Sequence, residues 1–426
     1  MSGALAVLPS AISGQLEAPP SKSSAHRAVI AAALAPGQST VAGLELSEDI
    51  SATLDAVRAL GAEVALMPAG GRQDAVITGI RGGADMPHID CRESGSTLRF
   101  MLPVALAVAG GAVFTGSARL AQRPLEPYFD IFNRQGIMVA WGESGFPLTV
   151  RGKLRPGEFM IPGNISSQFI TGLMLAAPAL GGDTRICVQG SLESADYVRI
   201  TTGVLERFGV RAVEEEPGKR YFIAGDQSCR ACRYDVEGDW SQAAFPLLMG
   251  LLGGEARIHG LYPDSRQGDR VIESVFREMG GDIRWEGDVL ASRRSRLRGI
   301  DADVSQCPDL APAIAAALAV AGGAGRITGG ARLRAKESDR IRSVAACLNS
   351  LGADVTETGD GMLIAGKPAL AGGSADACND HRIAMMAAAV SPACRAPVML
   401  TGWQAVAKSW PGFWNDFIAL GGRTNG

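Results

Sequence analysis

Six stretches of the 426-residue chain set polar and charged residues directly ahead of apolar runs: "PSKSSAHRA" from Pro20, "CRESGSTLRF" from Cys91, "GNISSQFI" from Gly163, "GDWSQAAF" from Gly238, "QCPDLAPA" from Gln306 and "CNDHRIA" from Cys378. Serine, aspartate and asparagine at a helix start accept hydrogen bonds from free backbone N–H groups, and capping accounts for them one by one. It does not account for the cations. Lys22, Arg27, Arg99 and Arg382 stand in or beside these heads, where the positive end of the helix dipole opposes them by about 0.3–1 kcal/mol each. A cluster of one sign is tolerable where an anion lies within it, because N–H groups, dipole and side chains then act together. The heads are therefore read as a site for a multiply anionic small molecule. Arg123 in "RLAQRPLEP", Lys336 and Arg340 in "RLRAKESDRIRS" and Lys408 in "AVAKSWPG" can add cations; taken singly, each arginine is equally a solvated surface charge. Asp309, in the fifth head, and Glu337, flanked by Lys336 and Arg340, are the candidates for proton transfer, with a cap or an ion pair as the plainer role for either.

The elements that must position these residues repeat. An apolar stretch, a glycine and a short strand recur as "VRALGAEV", "FNRQGIMV", "LERFGVRAV", "FREMGGDI", "LNSLGADV" and "FIALGGRT", with Gly61, Gly136, Gly209, Gly280, Gly352 and Gly421 about 70 residues apart. Each glycine stands where a helix needs a left-handed residue before the chain turns into a strand. Between these copies runs a second element, an apolar helix, a Gly-Gly or Pro-Gly stop and a strand ending in glycine, as in "FPLLMGLLGGEARIHG". One helix of each unit carries charges on its outer face, as in "SEDISATLDAVRAL". The other is apolar nearly all round and must be buried on all sides. The pattern predicts an α/β protein of six alike units, sheets outside and apolar helices within.

Composition narrows the function. A chain that is 46% hydrophobic, 20% charged and of net charge −3 is globular and is neither a nucleic-acid coat nor a binder of anionic membranes. The start, "MSGALAVLPSAISGQLEAPP", has neither the basic and apolar regions of a secretory signal nor the arginine-rich character of a transit peptide, so a cytoplasmic location is expected. The longest apolar runs are too short and too broken by Gly and Pro to span a bilayer. Eight cysteines, at 91, 187, 229, 232, 307, 347, 378 and 394, read as small buried residues. Cys229 and Cys232 form a lone CxxC without the further ligands that zinc requires.

At these residues the chain resembles the enolpyruvyl transferase family, in the branch that acts on shikimate 3-phosphate. The likeness runs along almost the whole chain through "PPSKSSAHRA", "ESGSTLRF", "QRPLEP", "ISSQFITGLML", "SADYVRIT", "QGD", "PDLAPAIAA", "RAKESDRI", "NDHRIAM" and "AKSWPGF"; their order and spacing together are specific where any one is weak. The resemblance implies two lobes, each of three βαβαββ units, closing on substrate across an active-site cleft. One lobe would run over 22–237 and the other would combine 1–21 with 238–426, joined by hinge strands at "APPSK" and "VEGDW". It implies transfer of the enolpyruvyl group of phosphoenolpyruvate to the 5-hydroxyl of shikimate 3-phosphate with release of phosphate.

Carried over by position, the resemblance gives Ser23, Arg27, Ser166, Ser167, Ser194, Tyr197, Asp309 and Lys336 to shikimate 3-phosphate. It places Gln168 between the substrates and gives Lys22, Gly95, Arg123, Arg340, Arg382 and Lys408 to phosphoenolpyruvate. Asp309 would take the hydroxyl proton, Glu337 would serve the methylene carbon and Lys22 would stabilise the departing phosphate. No metal or organic cofactor is implied, and the chain is expected to act as a monomer on small molecules, without nucleic acid or membrane. Two positions depart from the family pattern. The second head has Glu93-Ser94-Gly95-Ser96 where Asn-Ser/Ala-Gly-Thr is usual, which bears on inhibitors sharing the phosphoenolpyruvate site, and Arg332 replaces a common substrate-touching asparagine. The rivals are the sister transferase acting on UDP-N-acetylglucosamine, against which stand the Cys-free "GSARLAQRP" loop and the Lys22-Ser23 pair, and a non-enzymatic nucleic-acid-binding repeat protein, which would spread its cations along outer faces.

Overall fold

A computed structural model describes residues 3–82, 85–143 and 145–425. Among them, twelve helices of seven residues or more alternate between buried and half-exposed. In chain order they are α1 (Lys22–Leu34), α2 (Glu48–Ala59), α3 (Gly95–Val108), α4 (Glu126–Arg134), α5 (Ser167–Ala176), α6 (Ala195–Arg207), α7 (Trp240–Gly253), α8 (Ile272–Glu278), α9 (Ala311–Ala319), α10 (Arg340–Ser350), α11 (His381–Val390) and α12 (Phe413–Ala419). The odd-numbered helices are the apolar ones of the sequence pattern; every residue of α9 and α11 is buried. No helix among the described residues is long and apolar enough to cross a membrane.

Six four-stranded sheets share one order. In the second, His88–Asp90 runs parallel to Gly111–Thr115, which pairs antiparallel with Gly145–Arg151, which pairs antiparallel with Met138–Gly142. The expected six α/β units are present, but three of them borrow a strand from elsewhere in the chain. Arg233–Asp235 lies parallel to Gln38–Leu44 and completes the first sheet. Ile12–Glu17 completes the fourth beside Gly254–His259. Leu5–Leu8 lies between Val398–Thr401 and Arg423–Asn425 in the sixth.

The chain divides into two compact units, Pro20–Val236 and Met1–Pro19 with Glu237–Gly426, each around its own apolar core. The segments "APPSK" and "VEGDW", expected as hinge strands, are connectors with a single bridged residue each, Pro20 and Gly238. Two prolines, which lack the N–H a ladder needs, keep the first from being a strand.

The six recurrent glycines do what their position requires. Each follows an even-numbered helix with φ between +68° and +99°, and the residue after each donates back to a carbonyl five residues earlier: Ala62 to Val57, Ile137 to Phe132, Val210 to Leu205, Gly281 to Phe276, Ala353 to Leu348 and Gly422 to Phe417, all at 2.8–3.0 Å. This is the Schellman closure, which only a residue at ease in the left-handed region completes without strain. At Gly136 no atom lies within 4 Å of an added Cβ, so backbone strain is the only penalty there. Gly136→Ala is expected to lower stability by about 1 kcal/mol, read from urea unfolding, with no loss of solubility; an unchanged midpoint would contradict the capping role.

Proline inside α3 has a specific compensation. Pro103 cannot donate to the carbonyl of Arg99, and the buried Tyr128 hydroxyl takes that place at 2.8 Å. Gly172 leaves room for it, since a Cβ there would sit 2.1 Å from the Tyr128 oxygen. The backbone around Arg99 is thus fixed before its side chain is used.

Candidate functional site

In the unit of residues 20–236 the heads of α1, α3 and α5 are capped by Ser21, Ser94 and Ser166, so the bland role of the serines is real. The cations do something else. Arg27 is buried, 2% exposed. Its Nε donates to Thr201 Oγ1 at 2.8 Å, Nη1 to the Ser23 carbonyl at 2.6 Å, and Nη2 to Thr171 Oγ1 at 3.2 Å and the Tyr197 carbonyl at 3.1 Å. Four of its five N–H groups are used on neutral acceptors, and no carboxylate among the described residues pairs with it. Burial pulls its pKa down to about 10, the mark of a cation without a counter-charge. One Nη1 hydrogen remains, beside Ser23.

Arg99 Nη1 donates to Gln168 Oε1 at 2.7 Å and Nη2 to the Pro124 carbonyl at 3.1 Å, while Gln168 Nε2 donates to Ser96 Oγ at 2.9 Å. The heads of α3 and α5 are thereby tied through Gln168. Gly95, the first residue of α3, has Arg123 against it: a Cβ there would lie 2.4 Å from Arg123 Nη1 and 3.4 Å from Arg99 Nη1. Lys22 Nζ lies 2.7 Å from Asp49 Oδ2, both groups mostly buried. Ser194, at the start of α6, is buried with φ +56°, a strained placement for a serine, three residues before Tyr197.

In the other unit the sequence-predicted residues form one continuous network. Arg382, on α11, donates through Nη2 to Ser241 Oγ at 3.0 Å and to Asp309 Oδ2 at 3.0 Å, and through Nη1 to the Asp309 carbonyl at 3.2 Å. It thus joins the heads of α7, α9 and α11. Arg340, 1% exposed, gives Nε to Asp380 Oδ2 at 2.8 Å, Nη1 to Asp309 Oδ1 at 2.8 Å, and Nη2 to Glu337 Oε2 at 2.6 Å and Asp380 Oδ1 at 3.3 Å. Lys336 Nζ stands 3.5 Å from Asp309 Oδ1. Lys408 donates to the Asn379 carbonyl at 2.7 Å, a group presented by two successive left-handed residues, Cys378 and Asn379.

Asp309 is ion-paired with Lys336, Arg340 and Arg382, and Glu337 with Arg340, so the ion-pair role weighed from the sequence is present for both acids. Burial works against its charge, but Arg382, Lys336 and Arg340 outweigh burial and hold its carboxyl well below the usual aspartate range. Asp380 is governed in the same way, burial being overcome chiefly by Arg340. Burial lowers the Lys336 pKa against the opposing pull of Asp309.

The sequence reading missed Asp49, Ser241, Asp380 and the threonines at 171 and 201. Asp380 and Ser241 lie inside two of the quoted heads, and the signal available was that the buried cations beside them need acceptors. Arg340 gives four of its N–H groups to protein carboxylates, so any anionic ligand it serves must compete with them. Arg332, the departure from the family pattern, donates to the Ser305 carbonyl at 2.7 Å.

A change at Gly95 tests the first unit directly. Gly95→Ala displaces the flexible end of Arg123 rather than backbone, so the protein is expected to fold normally. For an enzyme that uses Arg123 to hold an anionic ligand, KM for that ligand should rise about 10-fold or more, because small displacements of a positioning group are costly. An unchanged KM would mean that Arg123 does not serve that ligand.

The profile of the EPSP synthase family (3-phosphoshikimate 1-carboxyvinyltransferase) matches residues 8–417. A 3-phosphoshikimate 1-carboxyvinyltransferase of Clostridium novyi is 42% identical over 422 residues, covering 98% of this chain and 97% of that one. Among solved structures, EPSP synthase from Acinetobacter baumannii superposes with a TM-score of 0.81 at 26% identity over 100% of both chains. The enolpyruvyl transferase NikO from Streptomyces tendae, at 17% identity and a TM-score of 0.80 over 100% of this chain and 99% of that one, shares the fold.

Proposed function

The chain belongs to the EPSP synthase family, and from that premise we propose that it transfers the enolpyruvyl group of phosphoenolpyruvate to the 5-hydroxyl of shikimate 3-phosphate, releasing phosphate. The observation that carries the reading is Arg27: a guanidinium buried among neutral acceptors with one N–H to spare is a site built for an anion, because an unpaired buried charge is costly. Ser23, Arg27, Ser166, Ser167, Ser194, Tyr197 and Lys336 hold shikimate 3-phosphate. Lys22, Gly95, Arg123, Arg340, Arg382 and Lys408 hold phosphoenolpyruvate, with Gln168 between the two substrates. The reading requires both sets of side chains to serve one substrate pair.

The ion-pair network supplies a chemical logic. In the free protein Asp309 is ionised and too well paired to be a good base. Phosphoenolpyruvate brings a carboxylate and a phosphate that draw Arg382 and Arg340 towards themselves. Asp309 then loses Coulombic partners and gains proton affinity, so it becomes able to take the 5-hydroxyl proton when the second substrate is in place. Glu337, joined to Arg340 at 2.6 Å, exchanges the proton at the methylene carbon. Lys22 offsets the charge on the departing phosphate. The protein acts in the cytoplasm as a monomer on small molecules, with no metal or organic cofactor.

Phosphate release on mixing the protein with phosphoenolpyruvate and shikimate 3-phosphate tests the reading. Release is expected only with both present. No release with both, or equal release with either omitted, would sink it.

A further inference from the structure

A buried polar chain in the unit of residues 20–236 has no part in the chemistry above. His26 is 1% exposed and Thr53 and Thr97 are fully buried. His26 Nδ1 lies 2.7 Å from Thr53 Oγ1, Thr53 Oγ1 lies 2.7 Å from Thr97 Oγ1, and the Thr97 hydroxyl donates to Ser94 Oγ at 2.8 Å. Ser94 Oγ in turn caps α3 by accepting the Thr97 N–H at 3.1 Å.

The donor order follows from counting hydrogens. Thr97 has one hydroxyl hydrogen and gives it to Ser94, so its oxygen accepts from Thr53. Thr53 has then spent its own hydrogen and accepts from His26 Nδ1–H; the Asp49 carbonyl, its other neighbour, is at 3.4 Å. Burial, then the nearby charges of Lys22 and Arg27, hold His26 well below the ordinary imidazole value, so the ring is neutral with its proton on Nδ1 and a buried Nε2 that has no partner among the described residues. A buried chain of this kind is either fully made or a liability, which fixes the helices that carry it.

Those helices carry the phosphoenolpyruvate contacts. Lys22 and His26 are one turn apart on α1, and Asp49 and Thr53 are one turn apart on α2, so Lys22–Asp49 and His26–Thr53 are parallel rungs between the same two helices. The second rung continues, through Thr97, to the α3 head with Ser94 and Gly95. We propose that His26 is a positioning residue for phosphoenolpyruvate, setting the head of α3 against Lys22 through Thr53 and Thr97. The inference rests on the reading that Lys22, Gly95 and Arg123 hold that substrate. The shikimate 3-phosphate contacts at the heads of α5 and α6 are tied instead through Arg27.

Steady-state kinetics of His26→Leu, His26→Asn and Thr97→Val, with each substrate varied in turn, tests this. His26→Leu and the near-isosteric Thr97→Val are expected to raise KM for phosphoenolpyruvate about 3- to 10-fold, the worth of one hydrogen bond, while KM for shikimate 3-phosphate stays within about twofold. His26→Asn, whose amide nitrogen replaces Nδ1, restores the lost affinity. A general loosening would instead raise both KM values together or leave Asn no better than Leu, and either result overturns the proposal, as does an unchanged KM for phosphoenolpyruvate. Should His26→Leu fail to fold, Thr97→Val decides alone. Absence of turnover in the wild-type protein is a separate result, seen before any variant is made; it would overturn the enzymatic reading and this inference with it.

Discussion

Asp309→Asn should leave a folded protein whose turnover is lower by about two to four orders of magnitude, the range associated with a general base. Asparagine keeps the oxygen that accepts from Arg340 Nη1 at 2.8 Å, and Arg340 keeps Asp380 and Glu337; the amide nitrogen takes the place of the Oδ2 that accepts from Arg382, which retains Ser241 and the carbonyl of residue 309. What is lost is a negative charge joined to Arg382, Lys336 and Arg340 alike. KM for phosphoenolpyruvate should not rise, since the cations lose a competitor. Phosphate release at saturating substrate is the measurement, and turnover within tenfold of wild type would remove Asp309 as the base. The wild-type pH profile gives a second check. The limb of kcat/KM, which reports the free protein, should lie below the ordinary aspartate range, whereas the limb of kcat, which reports the loaded protein, should lie at higher pH; coincident limbs would mean that substrate does not redirect the cations.

Lys22→Met should cost about 10²- to 10³-fold in kcat, as expected for removal of one charged donor at a developing anion. Methionine keeps most of the stem, but Asp49 loses its partner in a mostly buried place, so stability should fall as well, by about 1–3 kcal/mol, and turnover is compared per folded molecule. Asp49→Asn, which leaves the lysine charge, should fall far less. Near-native turnover in Lys22→Met would exclude the lysine from the mechanism, and an equal loss in both variants would show that the pair matters only as a brace.

Much of this arrangement was legible in the amino-acid order because it depends on local patterns that recur. The glycines at 61, 136, 209, 280, 352 and 421 could be placed at helix ends from an apolar stretch and a following strand, and all six have positive φ. The heads could be recognised because Lys22, Arg27 and Arg382 contradict helix electrostatics. The roles given to Asp309 and Glu337 came from resemblance, since a lone acid near a helix start reads first as a cap. The pairing partners were hidden by distance along the chain: Arg27 and Thr201 are 174 residues apart, and a threonine on an amphipathic helix carries no sign of what it faces. The borrowed strands were hidden for a different reason. Arg233–Asp235 has three residues, too few to show a period of two, and nothing in Leu5–Leu8 says that its neighbours lie at the other end of the chain.

That last strand has a consequence for synthesis. Leu5–Leu8 occupies an inner place, pairing Val7 with Val398 on one side and Leu8 with Arg423 on the other, so its sheet cannot close until Arg423–Asn425 has left the ribosome. The sheet of Gln38–Leu44 can be completed as soon as Arg233–Asp235 emerges, while Leu5–Leu8 waits unpaired until Arg423–Asn425 follows, and shielding it in that interval falls to chaperones or to speed.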